Sequence, residues 1–386
     1  MEKTCEYDIC TGCGICSTVC PKKCISFRTG DFGHIYPHID TEACIDCNRC
    51  RQVCPSINDN ERHYPEVAYA AFMKNEEEYR SSTSGGAAQA LSLNTLRTGG
   101  VVYGCATLPG CKVEHIRVDN EEQLKLLKGS KYVQSHAWPC YNQLKTDVKS
   151  GKPVLFIGTP CQCAAVKLLY KRQPENLTLV ELVCHGVPSQ KFLTECLEKK
   201  HISISEIDRL WFRTKAGFQI IAATKENDGY RTIYESIPLY QPKCDDIYYK
   251  TFFFGYSYRP SCYKCNFARP ERVSDITIGD FWGLGAQKSA DEIPPHPNGI
   301  SVILPCTEKG SRILTEISDL INLYPREVEE AIQGNNQLQH PTNKGFNVYL
   351  FNLLRKITGV KYAFDISFFI RRGVRYVKRK LNGNRK

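Results

Sequence analysis

The sequence predicts an α+β chain in which a small pseudo-twofold domain precedes a larger α/β core built on a mixed sheet. Three observations lead there. A cysteine pattern at 10–20 recurs at 44–54, offset by 34 residues, so two small halves repeat one another. From 66 onward, apolar runs of strand length alternate with helical runs, the texture of an α/β core. After 204 the chain turns to aromatic and β-branched segments, which adds further sheet.

Strands are expected at 67–73, 101–107, 154–157 and 177–183, with helices at 86–97, 121–128, 138–149, 160–171 and 188–200. Strands at 209–213, 219–224, 231–237 and 300–305 follow, with a turn at Asp228-Gly229 and a helix at 310–319. The polar run 58–65 ends in Pro65 and reads as a linker. The expected organisation is a small domain over 1–57, the linker, the two parts of a core over 66–200 and 201–343, and a basic tail over 344–386.

The chain has 386 residues, 42% of them hydrophobic and 24% charged, which is ordinary for a globular protein. Its 21 cysteines are not ordinary. An odd number, clustered at two- and three-residue spacings, points to metal ligands rather than disulfides. The first residues carry no basic region followed by an apolar stretch, and no apolar run approaches the roughly 18 needed to span a bilayer. The expected location is the cytoplasm, where thiols stay reduced.

Of the net charge of +10, residues 344–386 carry +11, from twelve Lys and Arg against Asp365, and the rest sums to −1. That distribution excludes a uniformly basic nucleic-acid binder. Within the tail, Tyr362, Ile366, Phe369, Ile370, Val374, Val377 and Leu381 recur near helical spacing beside Arg and Lys. The expectation is a helix packed by this apolar side on the main domain, with contact to a membrane surface or an acidic partner as the lesser alternative.

Cys10, Cys13, Cys16 and Cys20 precede Pro21, and Cys44, Cys47, Cys50 and Cys54 precede Pro55. This is C-x2-C-x2-C-x3-C-P twice, the spacing of two-cluster bacterial ferredoxins. Three thiolates on a tight loop wrap one face of a [4Fe–4S] cube, and the fourth cysteine lies too far along to close the same cube. Cys10, Cys13, Cys16 and Cys54 are expected to hold one cluster, and Cys44, Cys47, Cys50 and Cys20 the second. Gly12 and Gly14 let the loop turn its N–H groups toward sulfide. A pair of zinc knuckles is the alternative, disfavoured because no histidine stands among the ligands. Cys5 and Cys24 fall outside the pattern and read as small core residues.

Four more cysteines stand where sites form. Cys161 follows the apolar run 154–157, with Thr159 as N-cap and Pro160 at the first helical position. Cys184 opens Cys-His-Gly-Val-Pro-Ser after another apolar run, and Cys262 and Cys265 form a C-x-x-C. The carboxyl ends of neighbouring parallel strands converge on one crevice, so these thiols are expected to meet there around a third [4Fe–4S] cluster. The alternatives are a structural zinc, or isolated thiols beside a chance C-x-x-C. Cys163 is the reserve ligand.

At these residues the chain resembles the family of coenzyme F420 hydrogenase/dehydrogenase beta subunits. The matching segments are Ser-Ser-Thr-Ser-Gly-Gly (81–86), Gly-Ser-Lys-Tyr-Val-Gln-Ser (129–135), Gly-Thr-Pro-Cys-Gln (158–162), Cys-His-Gly-Val-Pro-Ser (184–189), Cys-Tyr-Lys-Cys (262–265) and Asp-Ile-Thr-Ile-Gly-Asp-Phe-Trp-Gly (275–283). The resemblance covers roughly 60–310. It implies a flavoprotein core that binds FAD, [4Fe–4S] centres, and exchange between a hydride carrier and one-electron centres.

The loop 81–86 runs into a helix whose free N–H groups suit a pyrophosphate or simply mark an N-cap; the resemblance favours phosphate binding by Ser82, Ser84, Gly85 and Gly86. Lys131 is a candidate for the flavin ring or a phosphate, against a plain surface lysine. His185 is a candidate proton shuttle, against a hydrogen-bond donor to cluster sulfur. Asp280, with Phe281 and Trp282, is a candidate for the flavin pocket, against plain core.

The expected function is an iron–sulfur flavoprotein oxidoreductase that couples hydride exchange at FAD to one-electron transfer through [4Fe–4S] clusters, with coenzyme F420 or another reducible substrate. The alternative is an electron-transfer subunit that docks on a partner enzyme and has no substrate site of its own. Expected partners are a one-electron carrier or partner redox enzyme and a small-molecule hydride donor or acceptor.

Overall fold

A computed structural model describes the backbone of residues 1–383 and the side chains of residues 1–371. The repeat in the cysteines is a repeat in structure. Short helices Ile15–Val19 and Arg49–Gln52 each carry the third cysteine of their motif, Cys16 and Cys50, at the second position. Strands β1 (Ile25–Thr29) and β2 (Ile35–Ile39) pair antiparallel, with Ile25 opposite Ile39. Both isoleucines are buried against Cys16 and Cys50, so in so small a unit the apolar core is largely cysteine.

The core is an eight-stranded mixed sheet. Its strands are β3 (Ala68–Met73), β4 (Val101–Leu108), β5 (Lys112–Val118), β6 (Val154–Gly158), β7 (Leu177–Leu182), β11 (Ile276–Asp280), β12 (Ser301–Pro305) and β13 (Ile321–Arg326). They lie in the order β13-β3-β12-β11-β7-β6-β4-β5. The neighbours β4, β6, β7 and β11 run parallel, and the other pairs antiparallel. The parallel strands are continuous apolar runs because helices cover both their faces. A separate antiparallel sheet joins β8 (Arg209–Thr214), β9 (Gly217–Glu226) and β10 (Gly229–Glu235).

The sequence reading assigned no strand at β1, β2 or β11, and it also missed β5 and β13, the two edges of the large sheet. β13 holds Pro325, which only an edge strand tolerates, and β5 alternates apolar and charged residues; neither gives a buried-strand signal. The helix expected at 121–128 shrinks to Leu124–Leu127, and the one at 160–171 ends at Lys167.

The tail corrects an expectation. Helices Phe346–Thr358 and Val360–Gly383 form a hairpin about Gly359, whose φ of 78° suits glycine. The second helix is packed on the core, but by Ala363, Phe364, Ser367 and Phe368, which sit against Phe254, Tyr256 and Phe351. Tyr362, Ile366, Phe369 and Ile370, the residues expected to pack, face outward. Aromatics lie on both sides of this helix, so spacing alone does not say which side is covered. The side chains of Val374, Val377 and Leu381 lie outside the described residues.

Under the carboxyl end of β7, Glu181 is fully buried and ion-paired with Arg272, itself 2% exposed. Thr277 and Ser274 also donate to the Glu181 carboxylate, and the Arg272 guanidinium donates to the Phe267 and Arg269 carbonyls at 3.0 and 2.7 Å. The network ties β7 to the chain that follows the C-x-x-C. Removing one member leaves a buried charge uncompensated, whereas replacing both with apolar groups removes the desolvation cost as well. Arg272→Ala is therefore expected to destabilise the protein by about 3–5 kcal/mol. The pair Arg272→Met with Glu181→Leu should lose markedly less. Urea unfolding checks both, and a single variant as stable as the parent would contradict this role.

Candidate metal and cofactor site

In the small domain the second set of thiols rings a space. Cys20, Cys44, Cys47 and Cys50 line one cavity of about 330 Å3, with Ile25, Ile39 and Met1 as its apolar floor. Cys47 is exposed, so this is the outermost of the thiol groups. Cys24, read as a core residue, lines the same cavity and lies 3.4 Å from the Cys20 sulfur.

The first set is more enclosed. Cys10, Cys13, Cys16 and Cys54 are all buried. Burial pushes the Cys16 thiol far up, and the neighbouring Cys13, Cys10 and Cys54 sulfurs add to the push, as does Cys50 of the second set. Cys5 is buried as expected, but its thiol also hydrogen-bonds toward the Cys10 and Cys54 sulfurs, which lowers their pKa values to about 6 and about 7. Gly12 and Gly14 have φ of 68° and 77°. A Cβ on Gly12 would stand 2.6 Å from Arg259 and Gln134, and one on Gly14 would stand 2.6 Å from Trp138. The loop around Cys13 is thus pressed onto the core.

The third group lies where that loop meets the sheet. A cavity of about 1010 Å3, counting its open mouth, is lined by Cys161, Cys184, Cys262 and Cys265 from the core and by Cys13 from the small domain. Cys161 and Cys184 follow the carboxyl ends of β6 and β7, adjacent parallel strands, so the sheet itself sets their spacing. Thr159 precedes the helix Pro160–Lys167 and its N–H donates to Gln162 Oε1 at 3.0 Å, while Gln162 Nε2 donates to the Ser135 carbonyl at 3.1 Å. That lock fixes the first turn and presents Cys161 to the cavity. Cys163 instead points into the core and donates to the Val180 carbonyl at 3.4 Å, so it is not in reserve here.

Burial pushes the Cys161 thiol up to about 12 and the Cys184 thiol up to about 11, and each feels the charge of the Cys265 sulfur. Cys262 is pushed far up by burial and by Cys184, Cys265 and Cys161. Four thiols that disfavour one another's ionisation are an arrangement that a positively charged metal centre relieves, since a coordinated thiol gives up its proton. Among the described residues no three His, Cys, Asp or Glu side chains close on one point as a single ion requires.

His185 and Asp280 stand at the same sheet edge, after β7 and at the end of β11. His185 lines the cavity, and burial pulls its imidazole pKa down against the opposing charge of Asp280. Asp280 is ion-paired with Arg213 of β8 at 2.6 Å. Phe281 is core and Trp282 is 45% exposed.

The loop 81–86 follows β3 at this edge. Gly85 lies directly on the sheet, where a Cβ would clash with the Ala71 carbonyl at 2.0 Å, so close packing already accounts for that glycine. Ser82 donates to the Glu78 carbonyl at 2.7 Å. Ser84 Oγ is buried without a partner, and Gly86, at φ 86°, starts the helix Ala87–Arg97 with no side-chain cap. Lys131 is beside this loop, since the Ser130 N–H donates to Thr83 Oγ1 at 3.2 Å. Its ammonium, with a pKa lowered to about 8 by burial, donates to the Leu127 and Lys128 carbonyls at 2.7 and 3.0 Å and so closes a helix end.

Two buried residues at the junction of the module and the core were not singled out by the sequence reading. Arg259 is fully buried; it donates to the Cys10 carbonyl at 2.6 Å, the Ile35 carbonyl at 2.8 Å, Gln134 Oε1 at 3.1 Å and the Cys10 sulfur at 3.6 Å. It also lies over the Tyr36 ring at 4.3 Å. Gln134 donates to the Thr11 carbonyl at 3.1 Å. The only signals were a cation three residues before the C-x-x-C and an amide inside segment 129–135.

Residues 151–330 match the family model for the C terminus of the coenzyme F420 hydrogenase/dehydrogenase beta subunit, and residues 9–58 match the 4Fe-4S dicluster domain. Over 234 residues the chain is 22% identical to the F subunit of the F(420)H(2) dehydrogenase of Methanosarcina mazei, covering 55% of this chain and 66% of that protein, slightly under two thirds of its length. Over 51 residues it is 45% identical to a ferredoxin-like protein in the nif region of Rhizobium leguminosarum bv. trifolii, covering 13% of this chain and 78% of that one. A chain in the structure of the F420-reducing [NiFe] hydrogenase complex from Methanosarcina barkeri aligns with a TM-score of 0.45 and 21% identity, over 80% of this chain and 91% of its own. The chain thus carries, over residues 151–330, the C-terminal segment of the coenzyme F420 hydrogenase/dehydrogenase beta subunit family, preceded by a 4Fe-4S dicluster domain over residues 9–58.

Proposed function

We propose that the chain is an oxidoreductase that couples hydride exchange at FAD to one-electron transfer through three [4Fe–4S] clusters. The observation that carries this reading is the cavity in which Cys13 of the dicluster module meets Cys161, Cys184, Cys262 and Cys265 of the core. When bound, FAD supplies the exchange between a two-electron donor and single electrons, and the clusters supply the one-electron steps.

The residues have separable tasks. Cys44, Cys47, Cys50 and Cys20 hold the outer cluster, where exposed Cys47 leaves room for a one-electron protein carrier. Cys10, Cys13, Cys16 and Cys54 hold the middle one, with Cys16 near Cys50 on one side and Cys13 near Cys161 on the other. Cys161, Cys184, Cys262 and Cys265 hold the third. Arg259 places a fixed positive charge against Cys10, and His185 holds a proton at the edge between the third site and Asp280. Ser84 and the first turn of the helix Ala87–Arg97 offer free donors to a phosphate of FAD. Ser82, Gly85 and Gly86 shape that turn, and Lys131 braces the loop beside it. The name of the Methanosarcina mazei relative makes coenzyme F420 the first hydride carrier to test, and a partner redox protein the first macromolecule to seek.

Two outcomes are expected. Protein reconstituted anaerobically should carry about twelve irons and about as many acid-labile sulfides, four per cube. Changing both Cys262 and Cys265 to serine should remove about a third of each while the module's signals persist. Metal and sulfide analysis checks this, and stoichiometric zinc or an unchanged iron content would contradict it. Replacing Arg259 with Gln removes a buried cation beside Cys10 and should lower the reduction potential of one cluster, because the reduced cube carries more negative charge. Redox titration followed by electron paramagnetic resonance checks the shift, and an unshifted or raised potential would count against the assigned role.

A further inference from the structure

The carboxyl-terminal hairpin presents apolar side chains that nothing among the described residues covers. On the helix Phe346–Thr358 the exposed residues Phe346, Tyr349, Leu353 and Ile357 follow one another at three- and four-residue spacing, three of them more than 60% exposed. On the helix Val360–Gly383, Tyr362, Ile366, Phe369 and Ile370 do the same, with Phe369 at 78%. Isolated exposed apolar residues are common on protein surfaces, but two adjoining helical stripes of eight such residues are not.

The two stripes look the same way. Phe351 and Phe364, one from each helix, pack on opposite sides of their own helix from the stripes and both meet the Tyr256 ring, at 5.2 and 5.3 Å. The hairpin is therefore held to the core by its inner aromatics while its outer aromatics face away from the core. Among the described residues no helix is long and apolar enough to cross a bilayer, and an amphipathic face of this kind is suited to lying in an interface.

We infer that this outer face docks on an anionic lipid surface. Charge selects that occupant. Residues 344–386 carry +11 while the rest of the chain sums to −1, so two copies meeting through this segment would bring like charges together, whereas an anionic bilayer meets them with opposite charge. Aromatic and aliphatic side chains flanked by lysine and arginine are the composition that sinks to headgroup depth. Lys361, exposed beside Tyr362, is placed at that border. The docking is independent of the cofactors, and it would hold the cluster-bearing module close to a membrane.

Cosedimentation of the full-length, cluster-loaded protein with vesicles tests the inference. The protein should pellet with phosphatidylcholine vesicles containing phosphatidylglycerol, stay in solution with phosphatidylcholine alone, and be released as salt rises toward about 1 M, where screening is nearly complete. Leu353→Glu, Ile357→Glu and Phe369→Glu together should weaken vesicle binding about ten-fold or more while iron content stays unchanged. The inference is overturned if the unaltered chain ignores anionic vesicles, or if the triple variant binds them as well as the parent. It is equally overturned if light scattering finds a dimer that the triple variant abolishes without any vesicle binding, since the face then belongs to a second copy. The salt series on the unaltered chain stands whether or not the variant folds.

Discussion

A single buried guanidinium holds the assembly together. Arg259 is a full positive charge with no exposure to water, and its partners are two backbone carbonyls, an amide oxygen, an aromatic face and the Cys10 sulfur. Dipoles alone compensate a buried charge poorly, and leaving one uncompensated costs several kcal/mol. A thiolate-ligated cube is anionic, so loading the module supplies the missing charge. The same side chain joins the module to the core, and in the proposed function it stands beside the anionic cluster that Cys10 would help to hold.

The remaining architecture follows from keeping that junction at one edge of the sheet. Parallel strands β6, β7 and β11 end together, so Cys161, Cys184, His185 and Asp280 appear there without any long-range accident of loop folding. The buried pair of Glu181 and Arg272 anchors the returning C-x-x-C segment beneath the same edge. From the exposed Cys47 through Cys50, Cys16, Cys13 and Cys161, each thiol group has a neighbour in the next. On such a series the proposed one-electron transfer rests.

Much of this was legible in the sequence because the chemistry is local. Two C-x2-C-x2-C-x3-C-P repeats prescribe their own folding, and the Thr159-Pro160-Cys161 turn announces a capped helix start. The apolar runs of β3, β4, β6, β7 and β12 were equally plain, whereas β11 was not singled out as a strand. What escaped depends on contacts distant in sequence. Arg259 meets residues about 250 positions away, and no spacing rule reaches that far. β13 was hidden by Pro325, and the outward side of the last helix was hidden because Phe364 and Phe369 look alike until a neighbour covers one of them. The loop 81–86 shows a different limit, for Gly85 is explained by its press against β3 before any phosphate is considered.

We propose that the thiol groups act in series, with the core cavity as the relay between the module and the proposed flavin. Rapid-mixing spectroscopy on the variant with Cys262 and Cys265 changed to serine tests it most directly, following flavin and module cluster bands separately. The account predicts that a one-electron carrier still reduces the module clusters, that a hydride donor still reduces the flavin, and that electrons no longer pass quickly between them. Unchanged exchange between module and flavin in that variant would contradict it.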